Sequence, residues 1–323
     1  IFIYVLNTSI RFILLLNLNI YLSYYFMIQN KILSQTLCIA IYIFAFWFSY
    51  FLIKNSELTV QNQMGNVHIW ILILTWHVLA TIIIYIFSVI LKNSSLYDPF
   101  WSVAPVPIVL FLSIQMDTLE IKLLVLIPIC IWAIRLTRNW IVSWQGFKHE
   151  DFRYVDLKNT NKFQAELTNF FGIHLIPTLI VNLGLFPLVY FVHSLSSSIS
   201  IPLLYAASLF TLIAVILETV ADEQMRKFRN NSNNKGKTMR FKLWKYSRHP
   251  NYLGEVLFWY GIYFMSLSTG ILPIWTLICP TAMLALFIFI SCPMMDERSL
   301  KNRSDYREYM DKTSQLFLLP PKS

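Results

Sequence analysis

Runs of about twenty mostly apolar residues recur along this chain, and they leave few folds open to it. A bilayer core about 30 Å thick is crossed by roughly 20 helical residues. Candidate spans lie near 3–28, 36–53, 68–91, 101–116, 121–141, 170–192, 202–221, 252–267 and 271–292, with Pro105 and Pro107 interrupting the fourth. The expected architecture is all-α: a polytopic integral membrane protein with about eight or nine transmembrane helices. A helix satisfies its own backbone hydrogen bonds, which lipid cannot do. Barrel strands would alternate apolar and polar residues over about ten positions, and the chain lacks that alternation. Hydrophobic residues make up 56% of the 323 and charged residues 13%, whereas soluble domains carry about 25% charge. Disorder, a collagen-like chain and a coiled coil are excluded on the same balance.

Lys and Arg are unevenly spread among the loops. Residues 222–250 hold nine, the tail from 293 holds six, loop 142–168 holds four and loop 92–100 holds Lys92. Two spans separate each of these segments from the next, so all four fall on one side, with Lys31. The other side has only Lys54 and Lys122, and loop 193–201 is uncharged. The positive-inside rule puts the basic loops and the C-terminus in the cytoplasm, of either a bacterial inner membrane or an endoplasmic reticulum membrane. Topology is sufficient to explain the net charge of +9, so no nucleic-acid partner is expected. A basic mouth also attracts phosphorylated cofactors. Residues 1–30 lack the basic region and cleavage site of a signal peptide. Either the first run is a true span or the chain's start lies upstream.

Ionisable residues inside or beside a membrane are costly and mark functional sites by default. Glu218, Asp222, Arg226 and Arg229 are spaced 4, 4 and 3 apart, on one helix face. They make either a salt-bridge ladder leaving the membrane or a polar stripe facing a cavity, with guanidiniums available to phosphates. In Trp244-Lys-Tyr-Ser-Arg-His-Pro-Asn-Tyr-Leu-Gly-Glu255, Pro250 disfavours helix at His249, and Asn251 is a good N-cap. Arg248 and His249 then sit just before a helix N-terminus, where an anion is favoured. Arg135 lies deeper in its span than Arg138, which can snorkel. His149-Glu-Asp-Phe-Arg153-Tyr154 is a charged loop. Asp296 to Lys312 reads as an amphipathic helix on the same side. All five groups share that side, as a polar, basic cavity opening to the cytoplasm requires.

Several chemistries are disfavoured. The chain has no dinucleotide or phosphate-loop glycine motif, no nucleophile elbow and no His-Glu-x-x-His. Cys38, Cys130, Cys279 and Cys292 lie in or beside apolar runs without metal-ligand spacing, and read as buried thiols. No metal site is expected. No two-half symmetry of a transporter is evident.

The motif 244–255 and the aromatic span after it resemble the steroid 5α-reductase C-terminal superfamily, in particular a reductase-like membrane branch. Asp98-Pro-Phe-Trp-Ser102, the loop His149–Leu157, Asn169-Phe-Phe-Gly-Ile-His174, Ala221–Arg229 and the ending Tyr309–Pro321 carry the same resemblance in order. Residues 1–66 carry none of it and form a hydrophobic extension of about two helices; 67–323 make the family-like membrane domain. The resemblance implies NADPH bound through the cytoplasmic half. Matched by motif, Asp222, Arg226, Arg229, Asn251, Arg135 and, less closely, Arg298 become cofactor-binding candidates, together with Tyr246, Arg248 and His249. Glu255 matches the Glu of the family's Asn-aromatic-x-Gly-Glu motif.

The implied reaction reduces an activated C=C bond of a lipophilic, steroid-like or other lipid substrate. A donor must polarise the substrate carbonyl. The steroid reductases take a Glu–Tyr pair from their N-terminal half, where this chain has no comparable motif, so Tyr97, Tyr252 and Glu255 stand as catalytic candidates. Isoprenylcysteine and phospholipid methyltransferases, related in fold, use Arg-His-Pro-x-Tyr-x-Gly and a later acidic pair to hold S-adenosylmethionine. Arg248–Gly254 and Asp296-Glu297 meet that pattern too. A non-catalytic membrane-complex subunit is the third reading.

Overall fold

The computed structural model describes residues 30–54, 66–193 and 199–322; the first expected span, 3–28, lies outside them. The described residues are helical and contain no strand. The helices are α1 Lys31–Ile53, α2 Asn66–Ile90, α3 Phe100–Val103, α4 Pro105–Ser113, α5 Leu119–Ser143, α6 Phe152–Leu157, α7 Lys162–Leu167, α8 Ile176–His193, α9 Ile201–Asn230, α10 Pro250–Leu267, α11 Ile278–Leu286, α12 Cys292–Asn302 and α13 Tyr306–Lys312. Among the described residues, six segments are long and apolar enough to cross a membrane: Lys31–Ile53, Ile69–Ile90, Ser94–Ser113, Lys162–His193, Ile201–Asn230 and Ile274–Asn302. Helices α5 and α10, also expected as spans, form with 25 and 18 residues but stand outside those six. The chain is thus a membrane protein by the length and apolarity of its helices.

Local chemistry sets the helix boundaries. Asn30 and Thr118 cap α1 and α5 by accepting from Leu33 N at 3.1 Å and Ile121 N at 3.2 Å. Pro105 starts α4 and so divides the fourth apolar run rather than kinking one helix. One expectation is corrected at α10. Pro250 takes the first helical position, which its missing N–H and fixed φ suit. Asn251 therefore lies inside the first turn instead of capping it. Two stretches widen to π-helix, Thr168–Leu175 between α7 and α8 and Phe287–Ser291 between α11 and α12.

The basic segments gather at one end. Asn93 Nδ2 donates to Phe147 O at 3.0 Å, and Lys31 Nζ to Val142 O at 3.0 Å. Arg240 pairs with Glu308 at 2.8 Å, and the Arg298 guanidinium lies 3.2 Å from the Phe152 ring centroid. At the other end Ser200 N bonds Ser268 O, and Tyr205 reaches Glu120. Loops 92–100, 142–168, 222–250 and the tail therefore share a face, as their charge implies. Residues 194–198 of the uncharged loop lie outside the described residues.

The antiparallel pair α9 and α10 is the closest in the bundle, because α10 presents glycine where α9 crosses it. A Cβ on Gly254 would stand 2.6 Å from Glu218 Cβ and 2.8 Å from its backbone nitrogen. One on Gly261 would collide with Thr211. In an apolar solvent, helices associate mainly through packing that small residues allow. Gly254→Ala should cost on the order of 1–3 kcal/mol by overpacking, read as a lower thermal midpoint in detergent. Gly172→Ala, where the new methyl meets only Thr168 at 3.6 Å, should leave the midpoint in place.

The loop that carries α6 is tied down beside the bundle. Ser94 N donates to Glu150 Oε1 at 2.6 Å, Asp151 N to Ser95 Oγ at 2.7 Å, and Lys158 pairs with Glu150 at 2.6 Å. Burial alone would raise the Asp151 carboxyl. The Arg153 guanidinium, bonded to it at 2.8 Å, outweighs burial and holds it below its ordinary value. A carboxyl depressed in the folded state stabilises above its unfolded pKa of about 3.9, and that contribution fades as pH falls through the folded value. Hydrogen exchange of residues 149–158, corrected for intrinsic rates, should hold its protection above about pH 4 and lose it below. Asp151→Asn should show low protection at both.

Candidate functional site

Two connected chambers lie within the basic half of the bundle. The larger, about 290 Å³, is bounded by α5, α8, α9, α10 and α11 and by both π-helical stretches. The smaller, about 170 Å³, lies between the end of α9, the start of α10, α12 and α13. Asp222, Asn251, Tyr252 and Met295 line both and form the junction.

A charge cluster in the bundle interior backs the larger chamber. Trp132 and Arg135, three apart on α5, face the same way. Arg135 forms ion pairs with Glu218 and Asp222 on successive turns of α9. Asn139 Nδ2 adds a bond to Asp222 at 2.8 Å. Glu255 of α10 accepts from the indoles of Trp132 and Trp259, each at 2.8 Å. Trp132 itself is stacked on Phe258 with centroids 4.3 Å apart. Asn251 Oδ1 is buried on this lining without a hydrogen-bond partner among the described residues. Such orphans are rare and mark places where a ligand or water is met.

The smaller chamber is basic. Arg229, Arg248 and Arg303 line it, with His249. Arg248 is fully engaged: it pairs with Asp296 at 2.9 Å and donates to Met310 O at 2.9 Å and Thr313 O at 2.7 Å. His249 Nε2 donates to Asp296 Oδ1 at 2.9 Å, and Tyr306 donates to the same carboxylate. Backbone bonds from Arg248 to Ser314 and from Leu319 to Tyr246 complete the strap. By contrast, Arg229 and Arg303 make no ion pair among the described residues.

Most predicted site residues converge, and some do not. Asp222, Arg229, Arg248, His249, Asn251, Tyr252, Glu255 and Tyr97 line one chamber or both, with Arg135 directly behind the wall. Arg226 leaves the expected stripe. It lies about 40° round from Asp222 on the side away from Met225 and Arg229, and bonds Glu223 at 2.9 Å through Nε. Tyr246 is exposed in its loop, and Arg298 sits outward on Phe152. Neither lines a chamber.

Hydrogen bonding separates the tyrosines. The buried Tyr97 hydroxyl is bonded to Thr178 at 2.7 Å, and Thr178 Oγ1 in turn to Thr81 Oγ1 at 2.8 Å and His174 O at 2.9 Å, so Tyr97 is engaged in the helix packing. Tyr154 donates to Asp98 Oδ1 at 2.5 Å. Tyr252, stacked on His249 with centroids 5.4 Å apart, makes no hydrogen bond through its hydroxyl among the described residues and lies at the junction.

Sequence reasoning missed Arg303, Trp132 and Asp98 as lining or supporting groups, and took Arg153 and Tyr154 only as part of a charged loop beside the cavity. The motifs Asp98–Ser102 and His149–Leu157 held a signal for Asp98, Arg153 and Tyr154. The Trp132–Arg135 spacing held one for the indole. Arg303 had none beyond the basic tail. No group of His, Cys, Asp or Glu suited to a metal occurs among the described residues.

Comparisons with known proteins place the chain. Residues 84–313 match the family described as "Protein of unknown function (DUF1295)". The chain is 26% identical over 268 residues to an uncharacterized protein of Schizosaccharomyces pombe, a match covering 71% of this chain and 74% of that protein. No solved structure matches it. With more than two-thirds of its length inside the match, the chain belongs to the DUF1295 family.

Proposed function

We propose that this protein is a membrane-embedded, NADPH-dependent reductase of activated C=C bonds in a lipophilic substrate, acting in lipid metabolism. The observation that carries the reading is the pair Arg229 and Arg303, two guanidiniums that form no ion pair among the described residues, in a chamber that opens into a larger, largely apolar one. Uncompensated guanidiniums suit phosphate oxygens, which they meet in bidentate fashion. The motifs shared with the steroid 5α-reductase superfamily, within a family whose own function is undefined, point the same way.

The residues fit such a cofactor. Arg229 and Arg303 would hold its phosphates. Asn251, with an orphaned amide oxygen, would orient its carboxamide near the junction. NADPH, when bound, supplies a hydride. Tyr252 would hold its hydroxyl proton against a substrate carbonyl, and Glu255 is fixed by two indoles rather than aimed outward. Asp222, bound to Arg135, keeps the junction wall in place. The basic end would face the cytoplasm, where the phosphorylated cofactor resides.

A zwitterionic methyl donor has no phosphate for Arg229 and Arg303. The Arg, the His and the first acidic residue of the methyltransferase pattern are also spent on one another, since Arg248 and His249 both bind Asp296, while Glu297 pairs outward with Lys301.

Titration of the purified protein with NADPH should raise its thermal midpoint and quench Trp fluorescence, whereas S-adenosylmethionine should do neither. Arg229→Ala should weaken NADPH by on the order of 2–5 kcal/mol, and Arg226→Ala by far less. Stabilisation by S-adenosylmethionine alone would select methyl transfer, and no response to either would select a non-catalytic subunit. Tyr252→Phe should bind NADPH normally and lose turnover.

A further inference from the structure

We propose that residues 315–322, with Lys245 and Tyr246 beside them, form a docking edge for anionic lipids of the leaflet at the basic end, and that this contact clamps the C-terminal strap over the smaller chamber. Neither part depends on the reductase reading.

The first observation is an apolar edge set against a membrane span. Leu316 turns inward and belongs to the core. The three residues after it do not: Phe317 is 50% exposed, Leu319 is 53% exposed, and Leu318 between them is exposed too. Tyr246, also exposed, accepts at its carbonyl from Leu319 N at 3.1 Å, which puts it alongside them. Gln315 Nε2 donates to Ile288 O at 3.1 Å. Ile288 belongs to the π-helical stretch within Ile274–Asn302, one of the segments apolar enough to cross a membrane. Its neighbour Phe289 is 76% exposed. The strap thus extends an outward apolar surface that the bilayer covers.

The second observation is charge. Segments 241–249 and 312–323 contain no Asp or Glu. Lys245 and Lys322 form no ion pair among the described residues, and Lys312 reaches Glu308 only at 3.7 Å. Lys322 N bonds Lys312 O at 2.8 Å, and Lys245 Nζ lies 5.7 Å from the Tyr246 ring centroid. Lysines therefore flank the apolar edge. Apolar side chains that enter the interface beside cations suit headgroups of negative charge, and the attraction acts only close to the surface.

The same backbone closes the smaller chamber. Thr313 O and Ser314 O accept from Arg248 at 2.7 Å and 2.8 Å, and Leu316 O accepts from Ser247 Oγ at 2.7 Å. Lipid that holds residues 317–319 also holds the carbonyls that fasten Arg248.

The test uses the full chain in nanodiscs of mixed phosphatidylcholine and phosphatidylserine, with a trace of either lipid carrying a diazirine near the top of one acyl chain. The serine lipid should label residues 313–322 at least about fivefold more than the choline lipid. High salt should bring the two to parity. So should the triple variant Lys245→Gln, Lys312→Gln, Lys322→Gln, with its thermal midpoint near wild type. Equal labelling of the wild type by both probes, or a preference that survives salt and variant alike, overturns the selection of anionic lipid. No label on 313–322 from either probe overturns the docking edge and gives the patch to a protein partner. The clamp is read by hydrogen exchange with and without the serine lipid. The amides of Arg248 and Leu319, bonded across the strap, should exchange at least about threefold more slowly with it. Unchanged exchange overturns the clamp.

Discussion

Arg135 sits in the interior of an apolar bundle and is held by Glu218 and Asp222 from the neighbouring helix α9. An isolated charge there would cost several kcal/mol, and its attraction to partners repays this only when the geometry is good and the remaining polar atoms are met. Apolar helices in lipid have little preference for one rotation over another, since lipid solvates each face about equally well. The ion cluster supplies that preference. It turns one face of α5 toward α9 and brings Glu255 of α10 up behind, anchored by indoles of both α5 and α10. Gly254 lets α10 come close enough to complete the arrangement. Removing the arginine would leave carboxylates facing each other without a cation, so the helix order around the chambers depends on it.

The chambers follow from this placement. Carboxyl groups drawn inward by Arg135 make the deep space acidic. The basic residues left near the helix ends, no longer needed for that cluster, make the outer space cationic. The C-terminal strap closes the outer space, because Arg248 spends its donors on Asp296 and on carbonyls of the tail. One elongated site results, with opposite electrostatics at its two ends and Tyr252 between them.

How far the site was legible depended on whether its logic was local. Asp222 and Arg229 are seven residues apart on one helix, and periodicity alone places them on the same face. Arg226 satisfies nearly the same periodicity, yet an acidic neighbour three residues back captures it and swings it outward. Arg248 and His249 were correctly placed in the polar half, but their carboxylate partner lies far along the chain. That partner also makes them fasteners of the tail. Tyr97 and Tyr252 are alike in sequence. Only the position of Thr178 on another helix engages the hydroxyl of the first. The start of α10 was misjudged by one residue, because proline's preference for the first helical position outweighed asparagine's for the cap.

Helical class, membrane character, the gathering of basic loops on one face and the general position of a polar site are all contained in the chain itself. Each rests on a local property: the length of an apolar run, the i to i+4 repeat, or the count of Lys and Arg between spans. The tertiary structure alone decided which guanidiniums are ion-paired among the described residues, which tyrosine hydroxyl is engaged by a neighbouring helix, and how the two chambers join. Those outcomes depend on partners tens to more than a hundred residues away. A charge or hydroxyl acquires its chemistry from the group that folding sets beside it.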